Sequence, residues 1–131
     1  STFLPPVDST KVEAGQQRET RMVTLDGLLA GEFKGFQPDL VKLDIQGFEL
    51  EALRGGMALF GATELFVVET SLFHFDKLMP ITREIVAFMA EQGYELYDIT
   101  EFMRRPCDGA LGQVDFAFAK ADGVLRSHNR W

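Results

Sequence analysis

Two carboxylates in this chain stand where short apolar runs stop: Asp44 after Val41-Lys42-Leu43, and Glu69 after Phe66-Val67-Val68. If those runs are parallel strands of an open α/β sheet, both acids lie at strand carboxyl ends, beside the crevice where such sheets bind ligands. There Asp44 can accept a proton, bind a hydroxyl or hold a metal. It can equally accept the amides of the Gln46-Gly47 turn, common work for an Asp so placed. Glu69 carries the same two readings, a cleft group or a strand-end acid bonded to a neighbouring loop. Glu49 follows Gly47 by two residues; it either faces the cleft or favours a helix start through the dipole. His74 sits in the aromatic loop Leu72-Phe73-His74-Phe75. It suits a general base near neutral pH, or a packed, hydrogen-bonded ring. Lys42, inside the first run, can pack its stem and carry its amine to an acid or to the strand end. Cys107 follows Arg104-Arg105-Pro106. Arginines can lower a thiol pKa, but no histidine is near it in sequence, so a structural thiol is the default.

Other chemistries lack their signatures. There is no Gly-x-Gly-x-x-Gly, no Walker lysine loop, no Cys-x-x-Cys and no Gly-x-Ser-x-Gly. His74 and His128 are the only histidines, so a zinc site of conventional make-up is not expected.

The elements that must position these residues read as follows. Residues 1–20 hold Pro5-Pro6 and no period, a lead-in loop. Residues 21–25 form a short strand, and a helical turn capped by Asp26 follows. Residues 40–45 are a buried strand. A helix over 48–60 carries Leu50, Leu53, Met57 and Phe60 as one stripe. Gly55-Gly56 inside it costs about 1 kcal/mol per glycine, tolerable under close packing against the sheet. A strand over 64–70, the loop 71–79 and a second helix with Pro80 in its first turn come next. Strands over 94–99 and 114–120, joined by a connection, complete the order, and 121–131 is a tail. Two strand–helix–strand units predict right-handed crossovers with parallel strands; the last pair, joined without a helix, predicts an antiparallel hairpin.

The chain has 131 residues, 46% of them hydrophobic and 25% charged, the balance of one compact domain. Its net charge of −7 repels phosphate backbones and anionic lipid, so neither nucleic acid nor a membrane is an expected partner. The single cysteine excludes an internal disulfide and fits a reducing cytoplasm.

The string VKLDIQGFELEALRGG resembles the core motif of the FkbM family of S-adenosylmethionine-dependent methyltransferases. Lys42, Asp44, Gly47, Glu49, Leu53 and Gly55 match that motif in order. Leu25-Asp26-Gly27-Leu28-Leu29 upstream, Glu69 at a strand end and the late Asp115-Phe116-Ala117-Phe118 extend the likeness over about residues 20–120. The resemblance implies a Rossmann-like class I methyltransferase fold, of which this chain is the carboxyl-terminal half: a mostly parallel sheet with an antiparallel last strand. Residues 21–120 are then the half-domain.

By the same resemblance the complete domain transfers a methyl group from S-adenosylmethionine to a hydroxyl of a sugar, polyketide or other small metabolite. Asp44 and Glu69 are the implied catalytic residues, Glu49 and His74 the implied substrate contacts. The glycine loop and ribose acid that hold the cofactor are expected upstream of Ser1, and this chain alone is expected to be inactive. Asp44 and Glu69 could share a metal, but nothing adds the further ligands, so none is expected. Two other readings stay open: a non-catalytic binding or assembly module keeping half of the fold, and a signalling phosphodiesterase fragment, which would need more acid and Asn ligands than the sequence shows. An open strand edge at residues 40–45 makes a homodimer an expected partner state.

Overall fold

The computed structural model describes residues 8–131; residues 1–7 of the expected lead-in loop lie outside the described range. Asp8 opens a short helix α1 (Ser9–Glu13), its carboxylate accepting from the Thr10 amide at 2.9 Å. The lead-in is therefore not all loop. No strand forms over residues 21–25, contrary to expectation; Leu25 instead opens helix α2 (Leu25–Ala30). Its cap is Thr24, whose Oγ1 accepts from the Gly27 amide at 3.0 Å. Asp26, expected as the cap, lies one position inside the helix and reaches across the chain to accept from the Ala58 amide at 2.8 Å.

After strand β1 (Leu40–Leu43) comes helix α3 (Glu49–Arg54), and the expected continuous helix breaks at Gly55-Gly56 into a 3₁₀ turn, Met57–Leu59. The close packing at these glycines is with α2 and the 3₁₀ turn, not the sheet. A Cβ on Gly56 would stand 3.0 Å from Leu25 Cδ1 and 3.3 Å from Leu25 Cβ, and Gly55 accepts from the Asp26 amide at 2.8 Å. Gly56→Ala should therefore destabilise the fold by about 1–3 kcal/mol through overpacking. An unchanged urea midpoint would show that α2 yields without cost.

Strand β2 (Leu65–Ser71) is followed by helix α4 (Thr82–Glu91). Pro80 stands outside α4, before the cap residue Ile81, whose amide donates to Glu84 at 2.7 Å. The last two strands are longer than expected: β3 spans Tyr94–Arg104 and β4 spans Leu111–Lys120. Three register shifts along β3, at Leu96/Asp98, Ile99/Glu101 and Met103/Arg104, break its alternation. That concealed its second half from a period-two reading.

The sheet order is β1-β2-β4-β3. β1 pairs with β2 in parallel, while β4 is antiparallel to both β2 and β3. The hairpin and the antiparallel last strand are as expected. The sheet is nonetheless mixed, with one parallel ladder: β4 turns back over 105–110 and inserts between β2 and β3, so these two do not pair.

One face of the sheet carries the core. Phe66 and Val68 of β2, Phe118 of β4 and Leu43 of β1 meet Leu53, Leu59, Ile85, Met89 and Tyr94, all buried. Tyr94 closes this core from its edge, its ring 5.1 Å from that of Phe66 and its hydroxyl donating to the Thr63 carbonyl at 2.6 Å. Because side chains alternate along a strand, Val67, Glu69, Asp115 and Ala117 belong to the opposite face.

Candidate active site

Backbone register brings four acids into one row. Glu69 of β2 stands opposite Asp115 of β4, and Asp115 opposite Glu101 of β3. Leu43 is opposite Val68, so Asp44, the next residue, comes level with Glu69. All four line a cavity of about 160 Å³ together with Phe102, Met103 and Gln113.

The neighbouring Asp44 carboxyl first, then burial, then the charges of Glu49 and Asp115 push the Glu69 carboxyl up to about 8. At neutral pH Glu69 is therefore held mostly in its protonated form. Asp115 is also raised, by burial and by Glu101, while Lys42 pulls it the other way.

The sign of the resulting pH dependence follows. A carboxyl whose pKa is higher folded than unfolded binds more protons in the native state, so its contribution to stability falls as pH rises. For Glu69 the window runs from about 4.5 to about 8. Thermal melts across that range should show a decline in Tm that Glu69→Gln reduces. An identical slope in the variant would mean that Glu69 ionises like a free carboxyl.

The backbone after β1 holds Asp44 in place. Gln46 and Gly47 both take left-handed conformations, with φ of 53° and 101°, an unfavourable pairing for a non-glycine at 46. Glu49 secures it. Its side chain is 3% exposed, and its two oxygens accept from the amides of Ile45 at 3.1 Å and Gly47 at 2.9 Å. The turn amides thus belong to Glu49, which leaves the Asp44 carboxyl to Glu69. At the end of β2, Thr70 Oγ1 donates to the Val114 carbonyl at 3.0 Å, and Thr82 Oγ1 donates to the Ser71 carbonyl at 3.1 Å. These bonds pin Glu69 between β4 and the start of α4.

His74 does not join the acids. It is exposed, its Nδ1 lies 3.0 Å from the Met79 carbonyl, and it lines a separate cleft of about 460 Å³ with Phe48, Arg54 and Lys77 among others. The two cavities share no lining residue. The loop carrying His74 is held by the β3–β4 connection: the Arg105 guanidinium lies 3.9 Å over the Phe73 ring and is paired with Asp108 at 2.6 Å. Cys107 is exposed rather than packed, its Sγ 3.8 Å from an Asp108 oxygen. Lys42 is exposed on an edge strand, not buried.

Asp115 and Glu101 are the site residues that reading the sequence for chemistry passed over. Val114, Phe116 and Phe118 mark the apolar face of their strand, and the same alternation places Asp115 on the other face. Glu101 fell in a stretch read as connection. Among the described residues no group of three or more His, Cys, Asp or Glu side chains is placed to hold a metal ion. Among them also, no helix is long and apolar enough to cross a membrane.

Compared with known proteins, the chain matches the family model of the methyltransferase FkbM domain over residues 4–96. No curated protein matches it, and no solved structure does.

Proposed function

This chain belongs to the FkbM methyltransferase family, and we propose from that premise that it supplies the acceptor-handling carboxyls of an S-adenosylmethionine-dependent O-methyltransferase. The observation that carries the reading is the placement of Asp44 and Glu69 side by side near the carboxyl ends of two adjacent parallel strands, lining one cavity. The strand order β1-β2-β4-β3 with β4 reversed supports the carboxyl-terminal half of a Rossmann-like class I fold.

The acid-lined cavity does not by itself fit the methyl donor. The acid-lined cavity of about 160 Å³ is smaller than the ~300–1,000 Å³ typical of pockets for molecules of that size. What the chain's own residues do therefore concerns the acceptor. A hydroxyl entering the cavity donates to Asp44, with Glu69, whose carboxyl is pushed up to about 8, beside it. Removal of the hydroxyl proton by Asp44 makes the oxygen nucleophilic, the service that an unactivated alcohol needs. Glu49 acts through the turn it clamps, and His74 lines the neighbouring cleft, where the remainder of a sugar or polyketide acceptor would lie. The single cysteine and the acidic surface fit a cytoplasmic enzyme of small metabolites.

Two measurements test this reading. The 131-residue chain alone should show no micromolar binding of S-adenosylmethionine by calorimetry; such binding would overturn the assignment of donor contacts to residues outside this chain. In its natural length the protein, given methyl-labelled S-adenosylmethionine and a metabolite extract, should place the label on oxygen. Label on nitrogen or carbon, or no transfer, would remove the O-methyltransferase assignment.

A further inference from the structure

The loop over 72–79 leads from the end of β2, just past Glu69, to α4, and its His74 lines the cleft of about 460 Å³. A gap of about 10 Å³, room for one water, lies between that cleft and the acid row. Gly47, Met79 and Pro80 line both gap and cleft, and Glu69 lines both gap and acid row.

Most of this loop is exposed, so burial alone holds it weakly. Its tethers come from the β3–β4 connection and the start of β4. The Leu72 amide donates to the Gly112 carbonyl at 2.9 Å, and Phe75 Cζ lies 3.4 Å from where a Cβ on Gly112 would stand. Beside them the Arg105 guanidinium covers the Phe73 ring at 3.9 Å, an attraction between the cation and the ring face. Arg105 is itself braced. Its Nε and Nη2 donate to the two Asp108 oxygens at 2.8 and 2.6 Å, and Asp108 also accepts from the Ala110 amide at 3.0 Å. This fork fixes the plane of the guanidinium, which the single ammonium of a lysine could not do.

The loop in turn selects a tautomer. His74 Nδ1 lies 3.0 Å from the Met79 carbonyl. A carbonyl only accepts, so Nδ1 carries the proton and the neutral ring keeps its lone pair on Nε2. The cleft and the acid row share no lining residue, so a group that meets His74 is not the hydroxyl held at Asp44.

We propose that Arg105 is a positioning residue of the acceptor site: through Phe73 it holds the loop so that His74 offers Nε2 to a second hydroxyl of the acceptor. This role rests on the acceptor reading given above, and it narrows the acceptor to a compound with at least two hydroxyls. Asp44 and Glu69 are held by other bonds, those of Glu49 to the turn and of Thr70 and Thr82 at the end of β2. Loss of Arg105 therefore weakens acceptor binding and spares the chemical step.

Nitrogen-15 NMR of the imidazoles in the protein of natural length, at a pH well above the ordinary histidine range, reads the tautomer with no substrate present; His74→Gln assigns the signal. Wild type should show His74 with its proton on Nδ1. Arg105→Met should move the ring toward the Nε2–H form and speed amide exchange over 72–79 by about five- to tenfold, the worth of the lost ring contact. Exchange in β2 and β4 should stay as it was. Phe73→Leu should do the same, and the double variant should do no more than either alone, since both remove one interaction. With the compound that takes up label in the transfer assay as acceptor, Arg105→Met should raise KM by about five- to tenfold and leave kcat within about threefold. A wild-type His74 protonated on Nε2, an Arg105→Met protein with unchanged spectrum and exchange, or one changed in both with an unchanged KM would each overturn the proposal. Expected spectra and exchange in a protein that transfers no methyl group would instead remove the methyltransferase reading and keep Arg105 as the clamp of a binding cleft.

Discussion

Asp44→Asn is expected to lower turnover by about 10²–10⁴-fold in the methyl-transferring protein, the usual loss when a positioned general base is removed. The substitution acts twice. It replaces the proposed acceptor of the hydroxyl proton, and it removes the carboxyl that chiefly raises Glu69. The Glu69 carboxyl, pushed up to about 8 mainly by Asp44, should therefore fall toward the ordinary range in the variant. Carboxyl ¹³C shifts followed through a pH titration read that fall without any substrate. Acceptor and donor affinities should move little, because the effect lies in the transition state. Turnover within about threefold of wild type would reduce Asp44 to a strand-end acid. A Glu69 that still titrates near its wild-type position would show that burial, rather than Asp44, sets its ionisation.

Phe66→Ala should have the largest effect on stability. Phe66 is 0% exposed, its ring stacks on Phe60 at 5.0 Å and meets Tyr94 edge-on at 5.1 Å, and it stands opposite Phe118 across the β2–β4 ladder. Removing such a ring leaves a cavity among side chains of three elements and costs about 3–5 kcal/mol. That is a large share of the ~5–15 kcal/mol that holds a domain together. Urea unfolding followed by near-ultraviolet circular dichroism measures it. A loss below about 1 kcal/mol would mean that Phe60, Tyr94 and Phe118 close over the gap.

The acid row was half legible in the sequence. Asp44 and Glu69 could be found because each ends an apolar run, a local mark. Their lying next to each other could not, because it depends on β1 and β2 pairing with Leu43 level with Val68. Asp115 and Glu101 join the row only through ladders between residues distant in the chain. The assignment of Glu49 turned on distance of another kind. Its position two residues past Gly47 allowed a cleft role or a helix-start role, and the folded turn gave it a third, as acceptor of the Ile45 and Gly47 amides.

By itself the sequence determined the α/β class, the order of the main strands and helices, and the motif that leads to the FkbM family, because apolar periodicity, strand-end acids and turn residues act over a few neighbouring positions. Only the tertiary structure decided where β4 inserts, why the helix after β1 breaks at Gly55-Gly56, and that His74 lies apart from the carboxyl pair. Those outcomes depend on contacts between residues tens of positions apart, such as Leu25 against Gly56 and Glu69 against Asp115. No local pattern encodes such contacts, since they arise when separate elements compete for the same space around one core.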